Sequence, residues 1–189
     1  MRTAYRPRFT SLQGFLKWQP EDRYKYEWNK VAIEKTEHLK QLEFFVIKAL
    51  LRLFAQTAAY LSDHELITEG DVFTSPDQLR KPNLAYYTNE QINKAAKGEN
   101  QIPAFIIEIV STNDARIQNV AKVQEYFMAG RTADAIQVVW LVMPAVKQVH
   151  IYQSPKNVEI CLKSDSCSAA PVLPDFLIKV DSLFSIPQL

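Results

Sequence analysis

Between residues 36 and 60, apolar side chains return at Leu39, Leu42, Val46, Leu50, Leu53 and Phe54, mostly at steps of three and four. That spacing puts them on one face and predicts a long amphipathic helix. Further along the period changes. Residues 103–110 (PAFIIEIV) are almost continuously apolar, and residues 136–142 repeat the pattern. Both read as strands buried on two faces. Between them, residues 115–129 read as a helix that Asp114 can cap and Gly130 ends. A strand, helix and strand in this order predict a right-handed crossover between two adjacent parallel strands.

The rest of the chain reads as shorter pieces. Residues 10–17 form a short helix capped by Thr10 or Ser11, and residues 25–28 and 31–33 a strand pair. Residues 65–73 read as one strand and 82–87 as another, with a loop about Pro76 between them. Asn89 caps a helix that runs to about Lys97 and stops at Gly98. Residues 146–153 and 157–162 make a hairpin with Ser154-Pro155 at its turn, and residues 176–180 are strand-like. The order predicts an α/β (α+β) fold built on a mixed sheet.

Composition narrows the function classes. With 189 residues, 47% hydrophobic, 23% charged and a net charge of +1, the chain can bury one real core. It is no histone-like polycation, although residues 1–35 carry a modest basic excess through Arg2, Arg6, Arg8 and Lys17 among others. The only glycines are Gly14, Gly70, Gly98 and Gly130, too far apart for a Rossmann or P-loop phosphate cradle. A nucleotide cofactor is therefore not expected. Cys161 and Cys167 have five residues between them and no nearby histidine, so no zinc site is expected; the spacing allows a disulfide, but free thiols are the expectation. The N-terminal stretch has no continuous apolar segment of the secretory kind. Lys48 and Arg52 interrupt the longest apolar run, at 44–55, so no membrane association is expected. The expected location is the cytoplasm.

Glu108 is the one charged residue of its buried strand. An ionised carboxylate out of water costs several kcal/mol unless paired or bound to a metal. Period two puts Ile106 and Val110 on its face, and neither can satisfy it. Glu108 is then a metal ligand or acid/base group, or else a solvated residue near the sheet edge. Lys122, on the following helix, can point back toward it, with Glu125 and Tyr126 on the same side. The plainer alternative pairs Lys122 with Glu125 in solvent. Lys81-Pro82-Asn83 places a polar side chain at the start of another strand. Asp71 reads as a strand-entry aspartate or a supplementary carboxylate. His38, His64 and His150 read as surface residues, Trp140 as core, and Tyr86-Tyr87 as one buried and one exposed ring.

Six segments in order carry a resemblance: YEW about residue 27, KPNLAYY at 81–87, FIIEIVS at 105–111, the K-x-x-E-Y-F-x-A-G run at 122–130, VVWLVMP at 138–144 and VLPDF at 172–176. Together they resemble the bacterial putative restriction endonuclease domain family, a domain of unknown function in the PD-(D/E)XK nuclease superfamily. The resemblance implies one restriction endonuclease-like domain over residues 1–189, with residues 1–20 an N-terminal arm or helix. Its fold would be a mixed central sheet flanked by helices. The site it implies has the motif aspartate at Asn83, the glutamate at Glu108 followed by Ser111, and a lysine displaced from Val110 to Lys122. Glu27 would close the site from the side.

Asn83, Glu108 and the Ile109 carbonyl would then hold Mg²⁺ or Mn²⁺ as oxygen ligands. The metal would polarise a phosphodiester and activate water, with Lys122 orienting that water or stabilising developing charge. The implied activity is deoxyribonuclease, with DNA as partner and a homodimer allowed. Asn83 in place of an aspartate offers the metal a dipole without a charge, which weakens the predicted site and the expected activity. The alternative is a catalytically inactive descendant that binds nucleic acid or a protein partner.

Overall fold

The computed structural model describes residues 10–22, 24–37, 41–110, 113–129 and 136–185. Arg2, Arg6, Arg8, His38, Ser111 and Gly130 of the sequence reading lie outside them. The chain begins with α1 (Leu12–Leu16), capped by the Ser11 side chain on the Gly14 N–H, at 3.2 Å. A hairpin of β1 (Tyr24–Asn29) and β2 (Ala32–Glu37) follows. Then come α2 (Gln41–Phe54) and α3 (Ala58–Leu61). Strands β3 (Glu65–Thr68), β4 (Val72–Ser75), β5 (Gln78–Arg80) and β6 (Leu84–Tyr87) lead to α4 (Asn89–Ala95). The second half runs β7 (Phe105–Ile109), α5 (Asn113–Met128), β8 (Val138–Met143), β9 (Gln148–Ser154), β10 (Asn157–Leu162), β11 (Ser166–Ala169), β12 (Leu173–Lys179) and α6 (Val180–Phe184).

Two sheets position everything else. The larger has the order β10-β9-β8-β7-β6-β3, and its one parallel pair is β7 with β8, the pair joined through α5. This is the mixed central sheet the apolar runs predict. One face of it packs Ile107, Ile109, Trp140 and Val142 against Val46, Leu50 and Phe54 of α2 and against Phe176 and Leu183. The other packs Ile106, Val139 and Leu141 against Val123 and Tyr126 of α5. The smaller sheet, β2-β1-β5-β4, buries Tyr26, Trp28, Ile33 and Leu79 with Phe15 of α1. Its other face carries the alternate positions Lys25, Glu27, Glu34 and Arg80.

Several expectations need correction. The helix expected over 36–60 starts later, because residues 36–37 continue the β2 pairing, and it breaks after Phe54. Thr57 terminates it by donating to the Phe54 carbonyl, at 2.7 Å, while capping α3 through the Tyr60 N–H. The single strand expected over 65–73 is two strands in different sheets. Glu69 takes a left-handed φ of 53° between them and turns the chain. Thr88 caps α4, with Gln91 completing a capping box. Tyr86 and Tyr87 are both buried, since helices or strands cover both faces of β6. His150 is buried, and His64 lies 2.5 Å from the Tyr86 hydroxyl. Cys161 and Cys167 are free thiols in the core.

Candidate functional site

The register of the sheets decides which polar side chains meet. Leu84 pairs with Ile107 and Ala85 with Ile106, so one step along that antiparallel register Asn83 stands opposite Glu108 on the same face. In the smaller sheet Glu27 pairs with Glu34. Trp28 pairs with Leu79, so one step along Arg80 stands opposite Glu27. Both rows face α5, whose Lys122, Glu125 and Tyr126 lie on one side of the helix.

Lys122 is the link. Its Nζ donates to Glu27 Oε1 at 2.9 Å, and lies 2.8 Å from Oε2 and 3.6 Å from Glu108 Oε1. All three side chains are buried: 0% exposed for Glu27 and 5% for both Lys122 and Glu108. Tyr126 donates its hydroxyl to Glu108 Oε1 at 2.7 Å. Glu27 Oε1 also accepts the Lys81 N–H, at 3.2 Å. The sequence left open whether Lys122 pairs with Glu125 in solvent or turns inward. It turns inward, and Glu125 pairs with Arg80. Asp71 is set apart, 44% exposed and paired with Lys81 at 2.7 Å.

Electrostatics fix the protonation states. Burial pushes the Glu27 carboxyl up, but the ammonium groups of Lys122 and Lys25 and the Arg80 guanidinium outweigh it and hold it at about 2. Burial pulls Lys122 down, but Glu108 and Glu27 outweigh that and raise it above its ordinary 10.5. Tyr126 is pushed well above its ordinary value by burial and by the charges of Glu108 and Glu27. At neutral pH Glu27 is therefore a carboxylate held by the Lys122 ammonium, and Tyr126 is a neutral phenol.

The donor set can be tested against a divalent cation. Asn83 Oδ1 accepts the Ile109 N–H at 2.7 Å, which leaves one lone pair of that oxygen and the Nδ2 donor for anything bound beside it. Both Glu27 oxygens are engaged by Lys122 and by Arg80 or the Lys81 N–H. Among the described residues, Glu108 Oε2 alone of these oxygens takes no hydrogen bond. A hard cation requires several free oxygens. The arrangement is a lysine-filled carboxylate pair, and the oxygens of Glu108 and Asn83 that it leaves for a divalent ion are Glu108 Oε2 and the second lone pair of Asn83 Oδ1, with one charge between them. No group of three or more metal-ligating His, Cys, Asp or Glu side chains occurs among the described residues.

Arg80 and Glu34 are members of this cluster that the sequence reading did not place near a site, and Glu125 and Tyr126 are members it set beside Lys122 without a role. A signal was present for Arg80 and Glu34. Positions 24–29 (YKYEWN) alternate aromatic and polar side chains, so one face of that strand has to be matched by polar partners on its neighbours.

The model of the Uma2 family, described as "Putative restriction endonuclease", matches residues 12–181. No curated protein matches the chain. Among solved structures, the chain is similar to a "putative nuclease belonging to DUF820" from Anabaena variabilis ATCC 29413. The TM-score is 0.71 at 18% identity, covering 92% of this chain and 97% of that one. At that identity the likeness shows the shared fold.

Proposed function

Because the chain belongs to the Uma2 family of restriction endonuclease type, we propose that it hydrolyses phosphodiester bonds of DNA in the cytoplasm, slowly, at the Glu108–Lys122–Glu27 cluster. The observation that carries this reading is the convergence of Glu27 from β1, Glu108 from β7 and Lys122 from α5, with Asn83 opposite Glu108. Tyr126 and Lys122 hold Glu108 by Oε1, which leaves Oε2 to accept the proton of an attacking water. Lys122, fixed by Glu27 and kept charged, stabilises the negative charge that develops on the phosphoryl oxygens as the P–O bond to the leaving sugar oxygen breaks, and that oxygen takes its proton from solvent water.

PD-(D/E)XK nucleases generally use divalent cations, and the family relationship supports that chemistry. No step of this scheme runs through Mg²⁺ or Mn²⁺, because among the described residues of the cluster only Glu108 offers a carboxylate oxygen without a hydrogen bond. Asn83, bound to a strand N–H where the motif has a carboxylate, is the proposed reason for a low rate. The same observation favours a second reading, a descendant that binds DNA without cutting it.

The test is cleavage of supercoiled plasmid and single-stranded DNA by wild type and Glu108→Ala, with Mg²⁺, with Mn²⁺ and with chelator. The proposal expects slow cleavage that falls about a hundredfold in Glu108→Ala, the usual loss for an acid–base group. Equal rates for the two proteins overturn it. DNA binding without cleavage by wild type establishes the second reading.

A further inference from the structure

We propose that Arg80 is the positioning residue of this cluster, setting both the Glu27 carboxylate and the helix that delivers Lys122 and Tyr126. The proposal rests on the reading of the cluster as the working site, and its test separates the two.

The Arg80 side chain is 4% exposed. A buried guanidinium is costly unless its donors are used, and these are used in three directions. Nη1 lies 3.3 Å from Glu27 Oε2 and 2.8 Å from Glu34 Oε2. Glu27 and Glu34 face each other across β1 and β2, a like-charge pair that opposes the hairpin register. Nη1 stands against both and cancels that repulsion. On its other edge Arg80 grips Glu125 twice, Nε to Oε1 at 2.9 Å and Nη2 to Oε2 at 2.6 Å. Two parallel bonds of this kind fix orientation as well as distance.

Glu125 stands three residues after Lys122 and one before Tyr126. The grip on Glu125 therefore fixes the rotation of α5 about its axis. That rotation decides whether Lys122 reaches Glu27 and Tyr126 reaches Glu108. Arg80 makes no hydrogen bond to Lys122 or Glu108; it positions them through Glu27 and Glu125, while its own charge repels the Lys122 ammonium. A lysine cannot replace it, because one ammonium lacks the planar fork that reaches three carboxylates at once.

The experiment follows the Lys122 ammonium by ¹⁵N NMR in the full chain, in wild type, Arg80→Lys and Glu125→Gln, alongside the thermal midpoint and the plasmid cleavage rate. In wild type the buried, paired ammonium gives slowly exchanging Nζ protons. Both variants are expected to speed that exchange about tenfold, as loss of one charge-assisted bond implies, and to lower the cleavage rate at unchanged KM. Should Arg80→Lys fail to fold, Glu125→Gln decides alone, since its side chain is partly exposed. A lowered thermal midpoint with wild-type Lys122 exchange makes Arg80 merely structural and overturns the proposal. If wild type cuts no DNA, the nuclease reading fails while the exchange measurement still decides the role of Arg80.

Discussion

Replacing Lys122 with methionine removes the ammonium from between Glu27 and Glu108 and leaves a side chain of similar length. Glu27 keeps Arg80 at 3.3 Å and the Lys81 N–H at 3.2 Å, whereas Glu108 keeps, among the described residues, only the Tyr126 hydroxyl at 2.7 Å. Removing one partner of a buried ion pair costs about 3–5 kcal/mol. The partners left to Glu27 place the expected loss at the lower end, about 3 kcal/mol, or a fall in Tm of roughly 6–12 °C for a chain of this size. The loss should depend on pH. Burial raises the Glu27 carboxyl and Lys122 is the strongest of the charges that hold it at about 2 instead, so the stability that Lys122 gives it is complete above the ordinary 4.5 and lost as pH falls toward 2. Urea unfolding at acid and at mildly alkaline pH should therefore show the larger deficit at alkaline pH. The double variant Lys122→Met with Glu108→Gln should recover part of the loss. A deficit below about 1 kcal/mol at both pH values, less than any buried pair should show, with no recovery in the double variant, would refute the assignment of Lys122 as the cluster's cation.

Two further outcomes follow from the same geometry. Glu27 is held at about 2 against an ordinary 4.5, so its contribution is complete above the unfolded value and disappears as pH falls from 4.5 toward 2. That difference corresponds to about 3 kcal/mol; the acid limb of a stability–pH curve should flatten in Glu27→Gln, and an unchanged limb would contradict the assignment. Tyr126→Phe deletes the one hydroxyl bonded to Glu108 and should cost about 1.5–3 kcal/mol in urea unfolding, the range for a hydrogen bond to a charged group.

Much of this arrangement is legible in the sequence because its signals are periodic. A carboxylate alone in an apolar strand has to find partners, and Glu108 finds Lys122 and Tyr126 on the crossover helix that the strand–helix–strand order places over it. The principal partner of Lys122, Glu27, enters the site only through the family resemblance and not through any local pattern. Glu27 lies 95 residues away in another sheet, and no local spacing reports how two sheets pack against one helix. Arg80 is hidden for a different reason. It ends a three-residue strand beside a tight turn, where Pro76 makes the segment read as loop. The split of residues 65–73 between two sheets turns on the left-handed backbone at Glu69, a residue that carries no turn signal of its own. In each of these cases the chain's local propensity is overruled by tertiary pairing.

The central claim is that this cluster is a nuclease site attenuated at one position, Asn83. It is tested most directly by comparing plasmid cleavage by Asn83→Asp and by wild type with Mn²⁺ present. An aspartate can keep the Ile109 N–H on one oxygen and offer the other, charged, beside Glu108. The account predicts cleavage faster than wild type by at least about tenfold, on the order of one added charged interaction. Cleavage by Asn83→Asp no faster than by wild type would contradict it.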